Sequence, residues 1–208
     1  MNSKILSVDD PKSLPRALEI LQAGGVIAFP TDTVYGLGCR VDLSQSIDRI
    51  YQIKERDQAK AIPVLIGDVA HLARVSAGLG DTARKLAACF WPGALTLVVP
   101  RNPGLPANLS QLPTIGVRMP DHSFALTLLR SAGPLATTSA NLSGLPSPVT
   151  AQDVLNQLED RLDLIIDGGP CPGGVPSTVV DCTGVDPRIL REGAITHELL
   201  AQALGRDF

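Results

Sequence analysis

A chain of 208 residues, 44% apolar and 19% charged, is long enough for one domain with a sizeable core and too apolar to be disordered. Its net charge of −3 argues against a general nucleic-acid binder, which is usually basic overall. No apolar run approaches a membrane span, and residues 1–10 lack the basic-then-apolar pattern of a signal peptide, so a cytoplasmic location without membrane contact is expected.

Leu14, Ala17, Leu18 and Leu21 have helical spacing, with Gly24 as a cap. Residues 25–29 form a short apolar run ending at Pro30, the pattern of a buried strand. Residues 44–54 are predicted helical, with Ile47, Ile50 and Tyr51 on one stripe. A strand is predicted at 62–66, helices at 68–77 and 81–90, and strands at 94–99 and 115–119 across a Pro- and Asn-rich loop. A helix at 123–130 precedes a short strand at 135–137, which leads into Ser139-Ala140-Asn141. Thr150 is placed to cap a helix at 150–158. Strands at 164–166, 178–181 and 188–190 and a helix at 196–204 complete the pattern. Interspersed strands and helices imply a single α/β domain over residues 1–208 with a mixed sheet. The glycines and prolines concentrate in the loops between strands, where such sheets commonly hold ligands.

The familiar nucleotide and nucleophile signatures are missing: no G-x-x-x-x-G-K-[ST] loop, no G-x-G-x-x-G after a strand, no G-x-S-x-G elbow. Cys39, Cys89, Cys171 and Cys182 form no C-x-x-C pair, and three or four of them read as buried or semi-buried thiols. His71, His122 and His197 have no metal-ligand spacing and read as surface or helix-end residues. Residues 30–38, PTDTVYGLG, place three hydroxyls and a carboxylate at a strand end; alone, they read as a turn whose hydroxyls satisfy their own backbone.

Lys54 lies one turn past Ile50 and so continues an apolar stripe. A cation pointed inward is costly unless an anion meets it. If the chain becomes extended there, Lys54 and Arg56 project to one side and suit a polyphosphate; a solvated helix end favoured by the macrodipole is an equal reading. Residues 137–144 are dense in small donors and acceptors, which local capping would also explain. A glycine-rich, mobile-looking loop surrounds Gly173 and Gly174, and Arg118 and Arg191 end strands.

In this order the segments resemble the YrdC family of threonylcarbamoyl-AMP synthases. The resemblance rests on PTDTVYGLG at 30–38, Lys54-x-Arg56, Trp91-Pro92-Gly93, Gly116-Val117-Arg118-Met119-Pro120, TSANLSG at 138–144, Asp167-Gly168-Gly169, Pro176-Ser177-Thr178 and Leu190-Arg191-Glu192-Gly193. It runs from about residue 14 to 195. The family often has proline where this chain has Asp57, Ala61 and Ala94, departures that touch loop shape and supply no charge. The chain is similar to the short members that lack an extra C-terminal domain.

The resemblance implies a twisted open mixed sheet flanked by helices, with a concave basic cavity. It implies that L-threonine, bicarbonate and ATP give threonylcarbamoyl-AMP, pyrophosphate and water, for tRNA threonylcarbamoyladenosine modification. Lys54, Arg56, Ser139 and Asn141 would form the catalytic tetrad around the ATP phosphates and the carbamate, with Lys60, Thr114 and Arg191 assisting at ATP. Thr33, Arg118, Thr138 and Ser177 would surround L-threonine. Mg2+ is expected with ATP, with no protein metal ligand, and a threonylcarbamoyl-transferase complex downstream, with at most weak tRNA contact.

The chemistry of three converging anions, a carboxylate, a carbamate and a triphosphate, asks for positioning and charge neutralisation and needs no protein nucleophile. A hydrogenase-maturation carbamoyltransferase would be longer and carry zinc-finger cysteine pairs. A non-catalytic RNA-binding module fits poorly with seven aromatic residues and an acidic balance. A paralogue with another carbamoylation substrate stays open.

Overall fold

The computed structural model describes residues 4–205. The chain runs through β1 (Lys4–Ser7), α1 (Ser13–Gln22), β2 (Ile27–Phe29), β3 (Gly36–Arg40), α2 (Ser44–Lys54), β4 (Val64–Leu65), α3 (Leu72–Val75), α4 (Asp81–Phe90) and β5 (Leu95–Pro100). It continues through β6 (Thr114–Arg118), α5 (Ser123–Ala132), β7 (Leu135–Ser139), α6 (Ala151–Leu158), β8 (Leu164–Asp167), β9 (Thr178–Asp181), β10 (Arg188–Arg191) and α7 (His197–Leu204). The α/β expectation holds. The described strands form one mixed sheet in the order β1-β8-β2-β3-β7-β4-β6-β5-β9-β10.

Helices cover both faces because successive strand residues point to opposite sides. Ile27 and Phe29 of β2 pack with Ala17 and Leu21 of α1 and Leu128 and Leu129 of α5. Val26 and Ala28 point the other way, into a larger core that holds Ile47 and Ile50 of α2, Leu86 of α4, Val154 of α6 and Leu200 of α7. Each fully buried Ile or Leu contributes roughly 1.5–3 kcal/mol. Burial on that scale lets α2 carry a lysine at its buried end.

Two strands escape the sequence pattern. β1 is a short edge strand beside β8. β3, between β2 and β7, contains two glycines where strands usually carry branched residues. Close packing explains them: a Cβ on Gly36 would stand 2.9 Å from Cγ2 of Thr137, and one on Gly38 would stand 2.9 Å from Cε1 of Phe29. The predicted helix at 68–77 is a 3-10 turn at Val69–His71 followed by the single turn of α3. It stops at Ser76, whose hydroxyl donates to the Pro100 carbonyl at 3.0 Å and ties the chain to β5. The predicted caps appear: the Asp153 N–H donates to Thr150 Oγ1 at 3.1 Å, and Gly24 has φ +83°.

Candidate active site

A cavity of about 310 Å³ lies against one face of the sheet. Its floor uses alternate residues of neighbouring strands: Thr96 and Val98 of β5, Gly116 and Arg118 of β6. Gly116 keeps the floor low, since a Cβ there would lie 3.1 Å from Cγ2 of Thr96. The walls come from the turn between β2 and β3, the end of β7 and the start of β9, and Arg56 and Arg191 line it too.

At one end sits Arg118, 6% exposed. Its Nε donates to the Gly93 carbonyl at 2.9 Å, Nη1 to Thr33 Oγ1 at 2.8 Å, and Nη2 to Asp32 Oδ1 at 2.5 Å. Burial pulls the Arg118 pKa down, Asp32 opposes this, and the charge of Arg191 adds to it. The 30–38 turn is only partly satisfied by its own backbone. Thr31 satisfies its own backbone by donating to the Val34 carbonyl at 2.7 Å, while Thr33 reaches across to Arg118. The glycine-rich loop, expected to be mobile, is tied to the same turn: Gly173 N–H donates to the Asp32 carbonyl and Gly174 N–H to the Thr33 carbonyl, both at 3.0 Å.

Ser177 and Thr96 pair through their hydroxyls at 2.8 Å. Arg191 braces Ser177, with Nη2 donating to its carbonyl at 2.8 Å and to its hydroxyl at 3.3 Å. Arg56 donates from Nε to the Lys60 carbonyl at 3.3 Å and from Nη2 to the Ala61 carbonyl at 3.0 Å. Neither Arg56 nor Arg191 is matched by a carboxylate in an ion pair among the described residues. Burial lowers the pKa of both, and Arg56 further lowers that of Arg191. Two under-neutralised guanidinium groups close enough to repel one another have the chemistry to receive a polyanion.

Lys54 is inward, as its spacing predicts, but it does not project beside Arg56. Glu55 caps α2 in the left-handed region, φ 51°, and turns the chain. Arg56 then lines the cavity while Lys54, 1% exposed, sits behind the cavity wall. Its Nζ donates to the Ser139 carbonyl at 2.5 Å, to the Asn141 carbonyl and to Asn141 Oδ1 at 3.2 Å.

Burial, with the charge of Arg56, pushes the Lys54 pKa down to about 7 from 10.5. The unfolded chain therefore binds more protons between those values. The cost of the buried charge is fully present below about pH 7 and is relieved as pH rises toward 10.5. Urea unfolding of the wild type and of Lys54→Met should show the wild type gaining on the variant between pH 6.5 and 9.5, by on the order of 1 kcal/mol per pH unit at most. A pH-independent difference would contradict this burial cost.

Of the remaining predicted residues, Thr33, Thr138, Ser139 and Ser177 line the cavity with Arg118. Asn141 lies behind the wall with Lys54 and is not among the lining residues. Lys60 is exposed and supplies a carbonyl to Arg56. Thr114 shares the strand face of Gly116 and Arg118 but lies beyond the cavity lining. No local pattern points to Asp32 as the partner of Arg118 or to Thr96 as the partner of Ser177. These contacts span 86 and 81 residues; the only local signal was the alternation of Leu95-Thr96-Leu97.

Three of the thiols are buried or half-buried, and burial pushes Cys39 and Cys182 up to about 12 and raises Cys171. Cys89 is exposed, so three of the expected three or four buried or semi-buried thiols are found. A variant with all four changed to Ala or Ser should lose stability, on the order of 1 kcal/mol per buried thiol, yet keep its activity per folded molecule. Inactivity of a well-folded variant would reveal a thiol function.

The family model described as "Telomere recombination" (Sua5, YciO and YrdC) matches residues 19–193. A threonylcarbamoyl-AMP synthase of Bacillus subtilis is 41% identical over 203 residues, 96% of this chain and 58% of that protein. A putative threonylcarbamoyl-AMP synthase of Mycobacterium tuberculosis is 39% identical, over 95% of this chain and 94% of its own length. The crystal structure of Sua5 from P. abyssi complexed with L-threonine superposes with a TM-score of 0.95 at 35% identity, covering 99% of this chain and 63% of that one. The chain thus spans less than two thirds of the Bacillus and P. abyssi relatives and nearly all of the mycobacterial one.

Proposed function

Because the chain belongs to the Sua5, YciO and YrdC family, we propose that it is a nucleotidyltransferase that condenses L-threonine, bicarbonate and ATP into threonylcarbamoyl-AMP, releasing pyrophosphate and water. The observation that carries this reading is the pair of guanidinium groups, Arg56 and Arg191, lining one cavity with no carboxylate in ion pairing to either among the described residues. The names of the relatives and the threonine complex of P. abyssi Sua5 support threonine and ATP as substrates.

Each end of the cavity has its task. Arg118 spends three of its five N–H donors on Gly93, Thr33 and Asp32, leaving two for the carboxylate of threonine. The hydroxyl pair of Ser177 and Thr96 is suited to the threonine side chain, with Thr138 on the same wall. Arg56 and Arg191 take the phosphates, with Lys60 and Thr114 at the periphery. The amine of threonine takes up the bicarbonate carbon as a carbamate, the bicarbonate hydroxyl leaving as water with a proton from the amine; a carbamate oxygen then attacks the α-phosphorus, and pyrophosphate leaves. The chain's residues bind, orient and neutralise. Ser139, with Lys54 and Asn141 behind it, fixes the wall nearest the reacting groups.

Among the described residues no group of three His, Cys, Asp or Glu side chains could hold a metal ion, and Asp32 is committed to Arg118. Magnesium is taken to enter as part of the substrate Mg·ATP, on the phosphates. Among the described residues no helix is long and apolar enough to cross a membrane. A cytoplasmic location, delivery of the product to a threonylcarbamoyl-transferase complex for tRNA modification, and at most weak direct tRNA contact belong to the same proposal. The test is a pyrophosphate-release assay with each substrate omitted in turn. Release that needs all three supports the synthase; release from ATP alone, at the same rate, overturns it.

A further inference from the structure

The hydrogen bonds behind the cavity wall fix the direction of one hydroxyl. Asn141 Nδ2 donates to the Leu142 carbonyl at 2.8 Å and to the Leu145 carbonyl at 2.7 Å. Both of its hydrogens are therefore spent, and the orientation of the amide is settled by two acceptors. Its Oδ1 receives Lys54 Nζ at 3.2 Å, so the oxygen end faces the ammonium. Ser139 Oγ stands 2.5 Å from that same Oδ1. An amide oxygen only accepts, so the hydroxyl hydrogen of Ser139 must point at Asn141 and away from the cavity.

What Ser139 offers the cavity is then its lone pairs alone. Phosphate and carboxylate oxygens are acceptors as well and gain nothing from a group that cannot donate. The donors the substrates carry are the amino group and hydroxyl of threonine, the O–H of bicarbonate, and the ribose and adenine groups of ATP. With the threonine hydroxyl matched to the Ser177–Thr96 pair, the donor at the reacting end is the amino N–H, which stays on the nitrogen once it becomes a carbamate. We propose that Ser139 is the acceptor for the amino nitrogen of threonine, and that Lys54 and Asn141 are positioning residues that act through it and touch no substrate.

The place of Lys54 agrees with that division. It is 1% exposed and lies outside the cavity lining. Its three ammonium donors meet the Ser139 carbonyl, the Asn141 carbonyl and Asn141 Oδ1. Its own carbonyl accepts from the Ser143 N–H at 2.9 Å. Both ends of the residue thus grip the segment from 139 to 143. The neighbouring cation, Arg56, is the one that reaches the cavity.

This inference rests on the synthase reading, and its test separates the two. Calorimetric titration of the wild type and of Ser139→Ala is done with L-threonine, with 3-hydroxybutyrate, which lacks the amino group, and with a non-hydrolysable ATP analogue. Ser139→Ala leaves Asn141 held by Lys54 and by its two carbonyl partners, so the wall should stay in place. The wild type should prefer threonine over 3-hydroxybutyrate. Ser139→Ala should cut that preference about tenfold or more, the scale of one hydrogen bond to a charged group, with ATP-analogue affinity unchanged. Lys54→Gln, where folded, should show the same selective loss, and the double variant should be no worse than Ser139→Ala alone. An unchanged preference, or a loss confined to the ATP analogue, overturns the assignment of Ser139. Additive losses in the double variant overturn the positioning role of Lys54. Failure of the synthase reading looks different: no pyrophosphate from the wild type with all three substrates present.

Discussion

Arg56→Ala is expected to lower synthase turnover on the order of 10²–10³-fold while the protein stays folded. Arg56 lines the cavity and has no carboxylate partner among the described residues, so its charge is available to the phosphates. Burial lowers its pKa from the arginine range, the sign of a cation held in a partly desolvated place. Truncation frees the carbonyls of Lys60 and Ala61, which lie on a largely exposed loop where water can replace the guanidinium. The structural cost is therefore small and the electrostatic cost large. Steady-state kinetics at saturating ATP, with circular dichroism to check the fold, decides the matter. Near-wild-type turnover would take Arg56 out of the phosphate site.

Arg118→Lys is expected to weaken threonine binding on the order of 10–100-fold and to change ATP affinity little. The charge stays, and Asp32 keeps a partner. The planar fork is lost, and with it the ability to serve Gly93, Thr33 and Asp32 while presenting two more donors. One ammonium has three donors for all of these, so either the frame or the substrate goes without. Separate titrations with threonine and with an ATP analogue distinguish substrate binding from bracing. Equal weakening toward both ligands would assign Arg118 a bracing role, and unchanged threonine affinity would remove it from the substrate site.

Much of this site is written in local patterns. The stripe of Ile47, Ile50 and Tyr51 predicts α2 over its observed residues, and its continuation predicts that Lys54 points inward. What meets Lys54 is not local: the acceptors come from Ser139 and Asn141, 85 and 87 residues away. The sequence suggested a ligand anion, and the chain's own carbonyls occupy that place. The left-handed turn at Glu55 decides that Lys54 and Arg56 part company, and nothing in a glutamate announces it, since that conformation usually falls to glycine or asparagine.

β3 was hidden for the opposite reason. Its glycines look like turn residues until Phe29 and Thr137 are seen pressed against them. Arg118 is expected from the resemblance only as one of the residues around L-threonine, with no intramolecular partner named. The fold brings up Asp32 from the turn after β2. Sequence order shows which residues are polar and where strands end, but the sheet order β7-β4-β6-β5-β9 makes them neighbours.

The most direct measurement follows carbon from bicarbonate. Incubation of the protein with labelled bicarbonate, L-threonine and Mg·ATP should place the label, threonine and AMP in one product, with one pyrophosphate released per label incorporated. Formation of AMP or ADP with no label retained in an adenylate would contradict the proposed reaction.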